Sequence, residues 1–273
     1  MSKITVVGLV GQSVFLPVEN FHVGGETIEA KSLHTEPGGK GFNQAVAAKR
    51  FGADVTFISA VGNDGYGAVV EKFLSGEGIT PVLVEKNDAT AYACIITDSH
   101  GKNRVTEYIG AELVPSDIEA ARGIIETSDM VIIGNEVPED VNEAVLAITS
   151  EKGIKVIMNP APQRALSDYI KERVDLFTPN EHETEGLEDK TNVIVTMGGK
   201  GSYIRSLDKT VPATDDKPVD TTGAGDTFNG VLAAKLCCGA SLEEAVIIAT
   251  RASGKSVTRR GAVSSIPYAS EIE

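Results

Sequence analysis

Cysteine is scarce in this sequence. Cys94, Cys237 and Cys238 are the only three in 273 residues, an odd number with no Cys-x-x-Cys spacing and no paired histidines nearby. That pattern offers no zinc site and fits plain thiols in a reducing cytoplasm. Long hydrophobic runs are lacking too, so no membrane partner is expected. The opening Met1 to Val10 has neither a basic leader nor a cleavage site and reads as a first strand rather than a signal. Basic charge is in short supply: 25 Lys and Arg against 39 Asp and Glu leave a formal charge of -14. A nucleic-acid backbone would meet a repulsive average field, and no nucleic-acid partner is expected. A nucleotide is not excluded by the same argument, because local amides, lysines and a bound cation set the potential inside a site. Internal repeats, low-complexity tracts and long linkers are also missing, which points to one domain over residues 1–273.

What is present is an alternation. Short apolar runs at Ile4 to Val10, Val55 to Val61, Met130 to Ile133, Lys155 to Met158 and Val193 to Met197 read mostly as buried parallel strands. Amphipathic segments at Asn43 to Phe51, Tyr66 to Leu74, Pro138 to Thr149 and Leu242 to Val257 lie between or after them. The spacing is that of βαβ units and predicts an α/β fold with a doubly wound, mostly parallel sheet flanked by helices. Residues 13–35 and 79–108 break the rhythm with alternating segments, Thr90 to Thr97 and Arg104 to Tyr108 among them, and predict antiparallel ribbons in a small separate sheet.

Two familiar phosphate-binding patterns fail on spacing. After Gly223 and Gly225 the third glycine of a dinucleotide fingerprint would fall on Phe228. The glycine that a Walker loop needs five residues before each Gly-Lys pair is replaced by His34, Ile96, Ile194 and Ala249. A different glycine-rich turn is present, Asp220-Thr-Thr-Gly-Ala-Gly-Asp-Thr-Phe228, leading into the helical pattern Val231 to Leu236. Converging amides and a helix N-terminus make an anion pocket there. Asp226 at its mouth has two readings, a helix N-cap or a base that takes the proton of an attacking hydroxyl while the Gly223, Ala224 and Gly225 amides hold the transferring phosphoryl group. In Glu36-Pro-Gly-Gly-Lys-Gly-Phe-Asn43, Lys40 and Asn43 could reach a ligand, or Asn43 could cap the following helix. Asn180 and Glu183 are three apart on what reads as a first helical turn, fit either to hold a hydrated Mg²⁺ or to complement a helix dipole. Val195 to Tyr203 reads as a strand, a glycine turn and a returning strand, and Asn159-Pro-Ala-Pro162 as a turn.

The segments Gly38 to Asn43 and Asp220 to Asp226 resemble the two signature motifs of the ribokinase-like PfkB carbohydrate kinases, in order and in separation. The resemblance runs from the first strand to Ile266-Pro267. It implies a central sheet with a small β lid, formed here by about 13–35 and 79–108, with sugar under the lid and ATP at the carboxyl edge of the sheet. It further implies Asp226 as catalytic base with Gly223, Ala224 and Gly225 as anion hole. Gly39, Lys40, Asn43 and Glu136 would lie near substrate, Asn180, Thr196, Gly198 and Gly201 near nucleotide, and Glu183 near Mg²⁺. By the same resemblance Asp220, Thr222, Gly261 and Ser265 would supply oxygens to K⁺, and two chains would pair through the lid.

The sequence departs from that family in two places. The Asn-x-Asp that usually grips sugar hydroxyls after the first strand is Gly11-Gln-Ser13 here. Ribose is therefore expected to be a poor substrate, and Gly11→Asn with Ser13→Asp is expected to restore it. Only Gly186 to Thr191 separates the Asn180 to Glu183 segment from the next strand, where relatives carry a further helix. The function expected is ATP-dependent phosphorylation of a hydroxymethyl group on a sugar, nucleoside or related polyol. The competing expectation is a weak or inactive ligand-binding protein on the same fold.

Overall fold

A computed structural model describes residues 2–272. The strands are Lys3–Val7 (β1), Gly11–Pro17 (β2), His34–Gly38 (β3), Asp54–Gly62 (β4), Thr80–Lys86 (β5), Ala91–Thr97 (β6), Asn103–Tyr108 (β7), Met130–Gly134 (β8), Lys155–Asn159 (β9), Leu176–Phe177 (β10), Ile194–Thr196 (β11), Ser202–Ile204 (β12) and Lys209–Val211 (β13). The helices are Lys40–Arg50 (α1), Tyr66–Glu77 (α2), Pro115–Ala120 (α3), Arg122–Ile125 (α4), Glu139–Lys152 (α5), Asp168–Arg173 (α6), Ala224–Cys237 (α7) and Leu242–Ser256 (α8).

Six strands form one parallel sheet in the order β10-β9-β8-β1-β4-β5. The central strands are apolar on both faces because both faces are covered. In β8, Met130 and Ile132 join one core while Val131 and Ile133 join the other, as the two-residue period of a strand requires. The first core packs against α1, α2, α7 and α8, the second against α3, α4, α5 and α6. Helices α1 and α7 approach closely at Gly230, where a Cβ would lie 2.3 Å from the carbonyl oxygen of Gln44. That approach brings the start of α7 beside the start of α1. Helix α8 begins with a capping box in which Ser241 and Glu244 satisfy each other's backbone N–H groups.

Strand β11 behaves differently from its expected role. It touches the end of the main sheet through parallel bridges at Phe177–Val193 and Asn180–Thr196, but pairs antiparallel with β12 in a three-stranded sheet. A second sheet, β3-β2-β6-β7, stands apart, with antiparallel outer pairs and a parallel β2–β6 pair at its centre. Its boundaries differ from the expected ones. Thr80–Lys86 is the edge strand of the main sheet, and most of residues 18–33 are irregular. β5 is half-buried over Pro81 to Val84, with Leu83 against the first core and Val82 and Val84 against the second, as an edge strand of the main sheet and not a member of the small one.

Candidate active site

The predicted site residues gather at the carboxyl end of the parallel sheet, where an open α/β sheet forms its crevice. Beyond β1 lie Gly11 and Ser13, beyond β8 lies Glu136, and Asn159 ends β9. Two cavities meet there. One, of about 480 Å³, is lined by the predicted Asn180, Glu183, Thr196, Gly198 and Gly201 and by the turn Gly223 to Asp226. The other, of about 260 Å³, lies beneath the second sheet and is lined by the predicted Gly11, Ser13, Gly39, Lys40, Asn43 and Glu136. Lys40, Gly223 and Asp226 border both.

Gly223 is the N-cap of α7, with a φ of 74° that suits glycine, so Asp226 sits inside the first turn and does not cap it. Its carboxylate is turned across to α1. Asn43 Nδ2 donates to Oδ2 at 2.9 Å and Gln44 Nε2 donates to Oδ1 at 3.3 Å. Asn43 likewise is no cap: Gly39 begins α1, and Asn43 lies inside the helix with its Oδ1 buried and without a partner among the described residues. Burial pushes the Asp226 carboxyl above its ordinary value, opposed by the Lys40 charge and by the two amide donors. Lys40 is pushed up in turn, chiefly by Asp226, with Glu136, Glu183 and Glu107 adding to the effect.

Glu136 is only partly exposed, with its carboxylate turned inward onto the start of α1. Oε2 accepts from the backbone N–H of Lys40 at 2.6 Å and of Gly41 at 3.2 Å. Burial raises it to about 8 despite the opposing Lys40 charge. The carboxyl groups of Glu136 and Asp226 therefore flank one lysine in a poorly solvated site.

Asn180 and Glu183 do not lie on a helix. The segment is a turn in which Asn180 Oδ1 accepts from the His182 N–H at 2.8 Å, while the Glu183 carboxylate accepts from the backbone and side-chain nitrogens of Asn180 at 3.0 and 2.7 Å. These side-chain bonds to the local backbone take the place of helical ones, which removes the helix-dipole reading along with the helix. Thr196, Gly198 and Gly201 fall where expected, on β11 and the turn before β12. Among the described residues no three His, Cys, Asp or Glu side chains come together as a metal cage. Mg²⁺ does not require one, since it keeps waters and phosphate oxygens and takes one or two carboxylates. The Glu183 carboxylate at the larger cavity fits that description.

Asp220 clamps two chain segments. Oδ1 accepts from the N–H and hydroxyl of Thr222 at 3.0 and 2.7 Å, and Oδ2 from the Gly261 N–H at 3.0 Å. Ser265 is linked to the same loop by its hydroxyl, which donates to the Ala262 carbonyl at 2.8 Å. The four oxygen-bearing residues expected near K⁺ are thus joined in one loop system. Sequence reading missed what holds it from the other side: Glu36, on β3, accepts from the Ala262 N–H at 2.7 Å and the Ser264 N–H at 3.3 Å. Gln44 was missed as well, although it adjoins Asn43 in a motif already singled out. Gly11 has no room for a side chain, because a Cβ would lie 2.5 Å from the Ala91 carbonyl oxygen and 2.8 Å from its Cβ. The close approach of β2 and β6 therefore rules out Gly11→Asn as a simple repair.

The pfkB family carbohydrate kinase pattern matches residues 1–269. The ribokinase of Bacillus subtilis is 34% identical over 292 residues, covering all of this chain and 99% of its own. The bifunctional ribokinase/ribose-5-phosphate isomerase A of Fructilactobacillus sanfranciscensis is 35% identical over 295 residues, covering 98% of this chain, which spans 55% of that longer protein. Among solved structures, the ribokinase of Thermotoga maritima superposes with a TM-score of 0.89 at 33% identity, covering 100% of this chain and 98% of that one. With the fold, the two adjoining cavities and these likenesses in agreement, the chain belongs to the pfkB family of carbohydrate kinases and is an ATP-dependent sugar kinase of ribokinase-like fold.

Proposed function

We propose that the protein transfers the γ-phosphoryl group of ATP to a hydroxymethyl group on a sugar, nucleoside or related polyol held beneath the second sheet, with Asp226 as the base. The observation that carries this reading is the position of Asp226: it borders both cavities, at the start of α7, where the amides of the Gly223 to Gly225 turn converge. The acceptor oxygen bonds to the γ-phosphorus as the bond to the bridging oxygen of ADP breaks, and the hydroxyl proton passes to the Asp226 carboxylate. The amides of Gly223, Ala224 and Gly225 stabilise charge on the transferring group, and Lys40 adds a positive charge between the cavities. Asn43 and Gln44 aim the carboxylate.

Asn180, Thr196, Gly198 and Gly201 line the nucleotide side, and Glu183 would hold Mg²⁺ beside the phosphates. Mg²⁺ neutralises phosphate charge when bound. Asp220, Thr222, Gly261 and Ser265 would hold K⁺ and stiffen the loop behind the anion hole. Pairing of two chains through the second sheet belongs to the same proposal, supported by β7, an edge strand exposed along its length. No observation favours an inactive binding protein. The test is ATP consumption by the purified protein across a panel of sugars, nucleosides and polyols, with the product identified by mass and ³¹P spectra. Phosphorylation of a primary alcohol is the expected outcome; ATP binding without transfer to any acceptor contradicts the proposal.

A further inference from the structure

The register of the second sheet places a carboxylate where the sequence motif shows none. Across its four strands Glu36 pairs with Ser13, Ser13 with Ala93, and Ala93 with Glu107, so these four side chains share one face. Ser13, Ala93 and Glu107 line the smaller cavity, which identifies that face as the inner one. Glu36 is committed to the Ala262 and Ser264 amides. Ser13 is buried with its Oγ over Gly38, away from Ala93, since a Cβ on Gly38 would lie 2.3 Å from that oxygen. Glu107 is exposed, and its carboxylate enters no hydrogen bond or ion pair among the described residues, although it lies near enough to influence Lys40.

Glu107 stands two strands from Ser13, about 10 Å away at roughly 4.8 Å per strand. Only the methyl of Ala93 lies between them in the row. The next inward-facing row, about 7 Å further along the strands, is Phe15, Ile95 and Val105, all lining the same cavity. A floor of small side chains thus leads from the Gly11 end to an apolar strip with one carboxylate at its flank. A free pentose bound at Gly11 and Ser13 would meet no charged acceptor for its hydroxyls and would leave this strip uncovered. An anionic far end is disfavoured, because Glu107, Glu136 and Asp226 border the cavity against Lys40 alone.

We propose that Glu107 is a specificity-determining residue, and that the acceptor is a hydroxymethyl compound longer than a free pentose, with a flat apolar body against Phe15, Ile95 and Val105 and an N–H donor directed at Glu107. An amine-bearing nucleoside has this chemistry. The inference rests on the kinase reading above and narrows its substrate class.

Matched acceptors test it: adenosine against inosine, which carry an amine and a carbonyl at the same ring position, and glucosamine against glucose, to separate a nucleoside from an amino sugar. In the wild type the adenosine kcat/KM should exceed those of inosine and ribose by at least about tenfold, the range of one charge-assisted hydrogen bond. Glu107→Ala should erase the adenosine advantage through KM. Glu107→Gln should move the preference toward inosine, since its amide N–H can donate to a carbonyl. A merely structural role for Glu107 would lower all acceptors together. If ribose is the best acceptor, or if the adenosine-to-inosine ratio is the same in all three proteins, this proposal fails and the kinase reading stands. A glucosamine preference over glucose without an adenosine preference overturns the nucleoside assignment. No transfer to any alcohol overturns both.

Discussion

The two cavities that meet at Asp226 differ in how they are built. The cavity proposed for the nucleotide is made of turns that follow strands of the main fold and carries the residue types the family resemblance implies, from Asn180 and Glu183 to the Gly223 to Gly225 turn. The cavity proposed for the acceptor is roofed by the second sheet, and there Gly11 and Ser13 stand where the family resemblance implies Asn and Asp, while Glu107 lines the cavity from the outer strand. On the proposed reading, the contrast is between a transfer site built on the main frame and an acceptor site built on a separate sheet whose outer strand is exposed.

The largest expected effect falls where the two halves touch. Asp226→Asn should cut turnover about a hundredfold to ten-thousandfold with every acceptor, with ATP binding by calorimetry little changed, because the amide keeps the shape but cannot take the proton. Acceptor-dependent loss would contradict a shared base.

Asn43→Ala sharpens the comparison by disturbing the aim and ionisation of that base from the acceptor side. The Asn43 amide favours the carboxylate form of Asp226, so its loss should raise the Asp226 pKa further. As the base must be ionised, the acid limb of the kcat profile should move to higher pH, with kcat at neutral pH down roughly tenfold. An unmoved limb would show that Asn43 does not tune the base.

Glu36→Ala removes the tie between the second sheet and the Asp220 to Ser265 loop. A lost hydrogen bond to a charged group costs on the order of 1.5–3 kcal/mol. The melting temperature should fall by several degrees, and KM for acceptors should rise more than KM for ATP. Equal changes in both would mean that the sheet does not act on the acceptor half alone.

The smallest effect is one of stability. The Glu136 carboxyl is raised from an ordinary 4.5 to about 8, chiefly by burial. A raised carboxyl favours folding fully below pH 4.5 and loses that contribution as pH rises through about 8. Glu136→Gln should therefore gain melting temperature over the wild type by a few degrees at pH 9 and little at pH 5. A difference independent of pH would refute the burial of this group.

Much of this frame was legible in the sequence because it rests on strong local signals. Ile4 to Val7, Met130 to Ile133 and Val156 to Met158 are short, almost wholly apolar and buried runs, as a doubly covered strand needs. The Asp220 to Asp226 turn packs glycines and a carboxylate into one short segment at the spacing of a family signature motif. What escaped detection depends on tertiary register. Glu36 and Glu107 are single acidic residues in alternating strands, and only pairing across four strands puts them on one face. The assignment of 79–86 to the small sheet failed because the short run Val82 to Val84 does not itself say which sheet it joins, and only its parallel pairing with β4 places it in the main one. The helix expected at Asn180 was lost to side-chain bonds between Asn180, His182 and Glu183 that periodicity does not reveal.

The most direct test of a kept nucleotide half and a changed acceptor half is one set of steady-state rates for the unmodified protein, with ATP and each acceptor varied in turn. The account predicts a KM for ATP in the micromolar to millimolar range usual for enzymes and a kcat/KM for ribose at least about tenfold below that of the best amine-bearing nucleoside. Ribose as the most efficient acceptor would contradict it.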